Sequence, residues 1–221
     1  MIVSMTEQDL LDATRAAYDA VAARYAESIP ERYRSSPLNH AMIGVFAELV
    51  TAFGDGDGLV ADVGCGPGHV TAHLRSLGVT AFGVDLSPEM IAIARDAHPE
   101  LRFEVGLMEA LQVEDASLAG VLANYSIIHT PPERLPVMLA EFGRVLSPGA
   151  YLLLGFPAYD GPVEPAEAYD HATFPAYRYS PDRVAELLLA AGLTEVARLV
   201  VAPGEDPKRG FPGAFLLARR V

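Results

Sequence analysis

The chain has 221 residues, 51% hydrophobic and 20% charged, with a formal net charge of −13 and one cysteine, Cys65. That length suits a single domain with its own core. The acidic balance, without a Lys/Arg cluster, excludes electrostatic binding to nucleic acid or anionic membranes, and the lone cysteine excludes an internal disulfide.

The chain starts with a polar, helical pattern rather than a basic-then-apolar leader, and no apolar run reaches the roughly 18 residues of a membrane span. A cytoplasmic protein is the expectation. Leu11, Thr14, Tyr18, Val21 and Tyr25 follow a 3-4-3-4 spacing, which puts both tyrosines on one helical face. Residues 26–38 (AESIPERYRSSPL) then read as an irregular connection that closes the site from one side, with Arg32 and Arg34 as candidate anion ligands. A second apolar helix, AMIGVFAELV, follows.

From residue 59 onward, strand-length apolar runs alternate with helical patterns. Leu59–Val63 is a strand, followed by the turn GCGPG and a helix over Val70–Leu77. Thr80–Asp85 is a second strand, and the helix after it opens with Ser87 as N-cap and Pro88 in the first position. Leu101–Val105 and Gly120–Tyr125 are the third and fourth strands. Glu133–Leu146 is an amphipathic helix, Ala150–Phe156 a fifth strand and Pro181–Ala191 another helix, stopped by Gly192. Thr194–Val201 and Gly213–Arg219 end the chain as an antiparallel hairpin. Residues 157–180 carry no periodicity and read as a lid-like insertion. The expected architecture is therefore α/β and doubly wound: a seven-stranded, mostly parallel Rossmann-like sheet with an antiparallel C-terminal edge. All of residues 1–221 form one domain, with residues 1–55 as N-terminal cap helices.

Ligands of such sheets bind beyond the strand C-termini, at the switch point beside the first glycine turn. Here the turn is VADVGCGPGHV. Gly64, Gly66 and Gly68 permit a sharp bend and close backbone approach. The G-x-G-x-G spacing departs from the dinucleotide fingerprint, and no Walker lysine follows. Asp85 ends the second strand 21 residues after Gly64, where a carboxylate accepts from ribose hydroxyls. Asp62, before the turn, disfavours a pyrophosphate and suits a cationic ligand.

VADVGCGPG followed by GVDLSPEM resembles motif I and the acidic ribose loop of the class I S-adenosylmethionine-dependent methyltransferases. The similarity extends to YDAVAARY, GLMEAL and FGRVLSPGAYLLLGF, and is strongest to small bacterial enzymes that modify ubiquinone and natural products. It implies S-adenosylmethionine as cofactor and S-adenosylhomocysteine as product. By the same resemblance, Asp62 and the backbone of Gly64, Cys65 and Gly66 hold the methionine part. Asp85 takes the ribose, Leu86 packs on the adenine, and Met108 offers its backbone to it because Leu107 replaces the family's aspartate. Asn124 faces the cofactor's amino group, and Tyr18 and Tyr25 cap the pocket.

For chemistry, His129 in NYSIIHTPPER is the candidate general base, since its ordinary pKa near 6.5 suits proton transfer. Tyr125, His129 and Arg178 are the candidate substrate residues, and no metal is expected. The expected reaction is methyl transfer to a small molecule, with oxygen favoured as acceptor. A protein that binds S-adenosylmethionine without methylating, such as a cyclase or scaffold, is the alternative. Oligomeric state leaves no trace in the sequence.

Overall fold

In the computed structural model, residues 6–53, 58–159, 166–203 and 210–221 are described, without the side chains of Pro30, Glu31, Arg32 and Arg34. The elements run α1 (Glu7–Arg34), α2 (Pro37–Thr51), β1 (Leu59–Val63), α3 (His69–Ser76), β2 (Thr80–Asp85), α4 (Pro88–Ala97), β3 (Arg102–Val105) and β4 (Leu118–Asn124). A 3₁₀ turn, Ile127–His129, leads to α5 (Leu135–Val145), β5 (Leu146–Pro157), β6 (Ala166–Tyr169), β7 (Ala176–Tyr179), α6 (Pro181–Ala190), β8 (Leu193–Val201) and β9 (Gly213–Arg220).

Seven strands form one sheet in the order β3-β2-β1-β4-β5-β9-β8. The first five are parallel, and β9 runs antiparallel between β5 and β8. This is the doubly wound sheet expected from the strand–helix alternation. Order reverses between β1 and β4, which puts the switch point beside the glycine turn. Alternation along the strands divides the core. Ala61, Val121, Ala123 and Leu152 face α5 and α6, whereas Val60, Leu122, Leu153 and Phe215 face α2 and α3. Cys65, Ile91, Ala94 and Phe103 make a third, smaller cluster against α4.

Two segments depart from the sequence expectation. Helix α1 does not give way to a connection after Tyr25 but continues through Pro30 to Arg34. A proline disfavours helix at the preceding residue, yet Ile29 is buried and Tyr33 packs on the α2–α3 core, so tertiary contact holds these turns. The side chains of Arg32 and Arg34 lie outside the described residues. The insertion, whose residues 160–165 also lie outside them, contains an antiparallel pair, β6 with β7. Strands this short carry too little alternation to be read from sequence. Tyr179 fastens the pair. Its ring is fully buried, and its hydroxyl lies 2.9 Å from the Ile127 carbonyl and 2.6 Å from that of Thr130. The hairpin is thereby fixed to the 3₁₀ turn that ends in His129.

Candidate functional site

At the mouth of the sheet, the glycine turn folds back on β2. The N–H groups of Gly64 and Cys65 both donate to the Val84 carbonyl, at 2.7 and 3.1 Å. Gly64 has φ +70°, and a Cβ there would collide with Ser126 at the end of β4. Any side chain at 64 would push the β4 loop out of place. Gly66, at φ +54°, is open on its Cβ side, with only the Tyr25 ring 3.9 Å away. The Cys65 side chain packs into the α4 cluster, and burial pushes its thiol pKa well up, so only its backbone faces the turn.

Asp85 holds the turn in place. One carboxylate oxygen accepts from Gly66 N at 2.8 Å and the other from Ser87 N at 2.9 Å. A carboxylate has roughly four acceptor positions, so these contacts do not exhaust it. Burial raises its pKa against the backbone hydrogen bonds of Ser87, Gly66 and Leu86. Leu86, half-buried, follows it. Ser87 caps α4 by accepting from Met90 N and donates its hydroxyl to Asp19 of α1.

Asp62 is not displayed to the mouth. It is 1% exposed and accepts the Thr71 hydroxyl at 2.6 Å, tying β1 to α3. Burial, assisted by the nearby Asp85, raises its pKa to about 7 against the pull of Thr71. A carboxylic acid whose pKa rises on folding contributes most below its unfolded value near 3.8 and loses that contribution as pH climbs through 7. About three units correspond to about 4 kcal/mol. Asp62→Asn keeps an acceptor for Thr71 and removes the buried charge. Denaturant unfolding should show it more stable than the parent at pH 8, with the difference vanishing near pH 4.

Helix α1 crosses the mouth. Arg134 pairs with Glu7 of α1 and with Glu109 beyond β3, and Asp19 is held at the start of α4. Tyr18 and Tyr25 share the inner face, their rings edge-to-face with centroids 6.1 Å apart. Tyr18 Oη lies 2.8 Å from His129 Nε2, and His129 Nδ1 lies 3.0 Å from the Pro175 carbonyl in the insertion. A carbonyl only accepts, so Nδ1 carries the proton and Tyr18 donates to Nε2. Burial lowers the His129 pKa to about 4. His171 and Phe174 complete its surroundings, with centroids 5.5 and 5.8 Å away. One imidazole therefore joins α1, the β4 loop and the insertion.

The remaining candidates divide. Tyr125 adopts φ +56°, unusual for an aromatic residue, and its N–H donates to the Gly155 carbonyl at 2.7 Å. Asn124 is half-buried, and its Oδ1 has no hydrogen-bond partner among the described residues. Met108 packs on the main core with its sulfur near the Thr130 hydroxyl. Arg178 is already engaged: it pairs with Glu167 across the hairpin and lies 4.8 Å over the Phe211 ring. No local pattern marks the Asp19 anchor or the Tyr18–His129 bond, whose partners are 111 residues apart.

A glycine turn, an acidic residue ending the second strand and this strand order define the nucleoside-binding α/β sheets of the methyltransferase type. Residues 60–149 match the model of the methyltransferase domain. A demethylmenaquinone methyltransferase of Chlorobaculum parvum is 31% identical over 161 residues, covering 66% of each chain. A malonyl-[acyl-carrier protein] O-methyltransferase of Erwinia billingiae is 33% identical over 117 residues, covering 53% of this chain and 46% of its own. The chain thus spans just under two thirds of the first relative's length and under half of the second's. Among solved structures, the 1,6-didemethyltoxoflavin-N1-methyltransferase of Burkholderia thailandensis superposes with TM-score 0.73 at 23% identity. That match covers 100% of this chain and 93% of the other. The chain thus carries a methyltransferase domain over residues 60–149 and resembles the class I S-adenosylmethionine-dependent methyltransferases in sequence and in fold.

Proposed function

We propose that this protein binds S-adenosylmethionine beneath α1 and methylates a small molecule, with His129 receiving the acceptor's proton. The observation that carries the reading is the His129 imidazole, held neutral and with its Nε2 lone pair turned toward the Tyr18 hydroxyl of α1. The residues present fit the cofactor. Gly66 leaves room where a Cβ would stand, and the contacts of Asp85 do not exhaust its carboxylate. Asp62 and Asp85, both buried and each with a raised pKa, gain from a cation placed near them. That favours a sulfonium and ammonium over a pyrophosphate. Tyr18, Tyr25, Asp62, Gly64, Cys65, Gly66, Asp85, Leu86, Met108 and Asn124 are the proposed cofactor residues, and Tyr125 and His129 face the acceptor. Arg178 meets an acceptor only if Glu167 releases it.

Bound S-adenosylmethionine supplies an electrophilic methyl group. The chain must hold the acceptor in line, exclude water and take a proton. α1 and the insertion cover the site, and Nε2 of His129 takes the proton as Tyr18 moves aside.

Calorimetry tests the cofactor. S-adenosylmethionine should bind and NAD should not, and binding at pH 7 should release a fraction of a proton as the cation lowers the Asp62 pKa from about 7. Heats measured in buffers of different ionisation enthalpy read that release. Preferential NAD binding would refute the reading. Release of S-adenosylhomocysteine, screened over quinols, carboxylic acids and amines, separates a methyltransferase from a protein that only binds the cofactor.

A further inference from the structure

Tyr18 and Asp19 are neighbours on α1, yet they grip opposite sides of the mouth. Tyr18 Oη lies 2.8 Å from Nε2 of His129, in the loop after β4. Asp19 Oδ1 accepts the Ser87 hydroxyl at 2.5 Å, and Glu89 N lies 3.4 Å from the same oxygen. Ser87 follows the end of β2. In the sheet β1 stands between β2 and β4, so α1 spans the glycine turn from the Asp85 side to the His129 side. Ser87 is 1% exposed, and its N–H and hydroxyl are both committed. The N–H donates to Asp85 Oδ1 at 2.9 Å, and the hydroxyl oxygen accepts from Met90 N at 3.1 Å. The one hydroxyl proton therefore goes to Asp19. A single serine thus links the carboxylate that holds the glycine turn to the carboxylate that holds α1. Asp85 feels Asp19 as well: burial, and after it the Asp19 charge, raise its pKa against its backbone hydrogen bonds.

The ends of α1 are held without Asp19. Arg134 pairs with Glu7 in the first turn, and near the last Ile29 is buried and Tyr33 packs on the α2–α3 core. Where Tyr18 points is decided in the middle turns, by the roll of the helix about its axis. A roll of about 10° carries the tip of a long side chain by about 1 Å. That is enough to take the 2.8 Å bond to His129 out of hydrogen-bonding range. Side chains one residue apart on a helix diverge by about 100°. Bonds made in two such directions, one on each side of the mouth, fix the roll. Either bond alone leaves a pivot.

We infer that Asp19 is a positioning residue for the methyl transfer: its bond to Ser87 sets the roll of α1, and that roll keeps Tyr18 on Nε2 of His129. The inference rests on the methyltransferase reading above. It makes the loop that carries Asp85 part of what orients His129, across the full width of the glycine turn.

Nitrogen-15 NMR of the imidazoles at pH 7 tests this without a methyl acceptor, the His129 signals being assigned by their loss in His129→Ala. Tyr18→Phe gives the Nε2 position when the tyrosine donor is gone. Asp19→Ala should move the His129 Nε2 resonance at least halfway to that position. Adding Asp19→Ala to Tyr18→Phe should move it no further, because the two act through one bond. Asp19→Asn keeps an oxygen for Ser87 and should hold the parental position. Ser87→Ala removes the bond from the other side and should match Asp19→Ala, and it serves alone if Asp19→Ala does not fold. An unmoved resonance in Asp19→Ala and Ser87→Ala would overturn the inference. So would an equal shift in Asp19→Asn, which would make charge rather than the bond responsible, or a further shift in the double variant, which would have Asp19 act without Tyr18. Once an acceptor is found, Asp19→Ala should lower kcat about tenfold, the scale of a mispositioned base, with KM for S-adenosylmethionine within about threefold. A rise in KM alone would also overturn it. Failure of the unaltered protein to bind S-adenosylmethionine in calorimetry would instead strike the reading on which the inference rests, without touching the resonance comparison.

Discussion

Asp85→Ala is expected to weaken S-adenosylmethionine binding by a hundredfold or more, about 3 kcal/mol, measured by calorimetry. Two effects add. The proposed ribose hydroxyls lose a charged acceptor, and such hydrogen bonds contribute about 1.5–3 kcal/mol each. The backbone N–H groups of Gly66 and Ser87 also lose their acceptor, so the glycine turn loosens. Asp85→Asn separates the effects. Its single carbonyl oxygen can serve one of the two N–H groups, while its NH₂ opposes the other. It should fold, show a lower Tm and bind the cofactor at least tenfold more weakly. Unchanged affinity in Asp85→Asn would put the ribose elsewhere and leave Asp85 a purely structural acceptor.

The contrast between Asp85 and Asp62 shows what a sequence can and cannot convey here. The strand–turn–helix pattern around both is local, set by apolar runs, glycines and the Ser87–Pro88 helix start, and it is legible because each signal is resolved within a few residues. Whether a carboxylate faces a ligand is not local. Asp62 reads as a charge presented to the mouth, yet Thr71 from the next helix claims it and burial leaves it 1% exposed. Asp85 reads as a ribose ligand, yet each of its oxygens also receives a backbone N–H. The full length of α1 was hidden for a similar reason. Pro30 carries a local stop signal, and only the packing of Ile29 and Tyr33 overrides it.

His129→Ala should lower turnover by about 10²–10⁴, the range for losing a positioned proton acceptor, while leaving S-adenosylmethionine affinity within about twofold. His129 meets the geometric demand: Nδ1 is fixed on the Pro175 carbonyl, so Nε2 carries the lone pair, which accepts from Tyr18. Its pKa near 4 makes it a weak base but keeps it unprotonated near neutral pH. Tyr18→Phe tests the partnership through pH dependence. The Tyr18 hydroxyl donates to neutral Nε2, which favours the neutral form. Its removal should raise the His129 pKa and move the acid limb of the turnover profile to higher pH. Loss of the same bond frees the ring to tilt, so turnover at neutral pH should fall about tenfold, the scale of a mispositioned base rather than a missing one. A His129→Ala variant with near-parental turnover would mean that proximity alone drives the transfer. Unmoved acid limbs in Tyr18→Phe would mean that the imidazole is a wall of the pocket, and that its bonds to α1 and the insertion serve closure and not proton transfer.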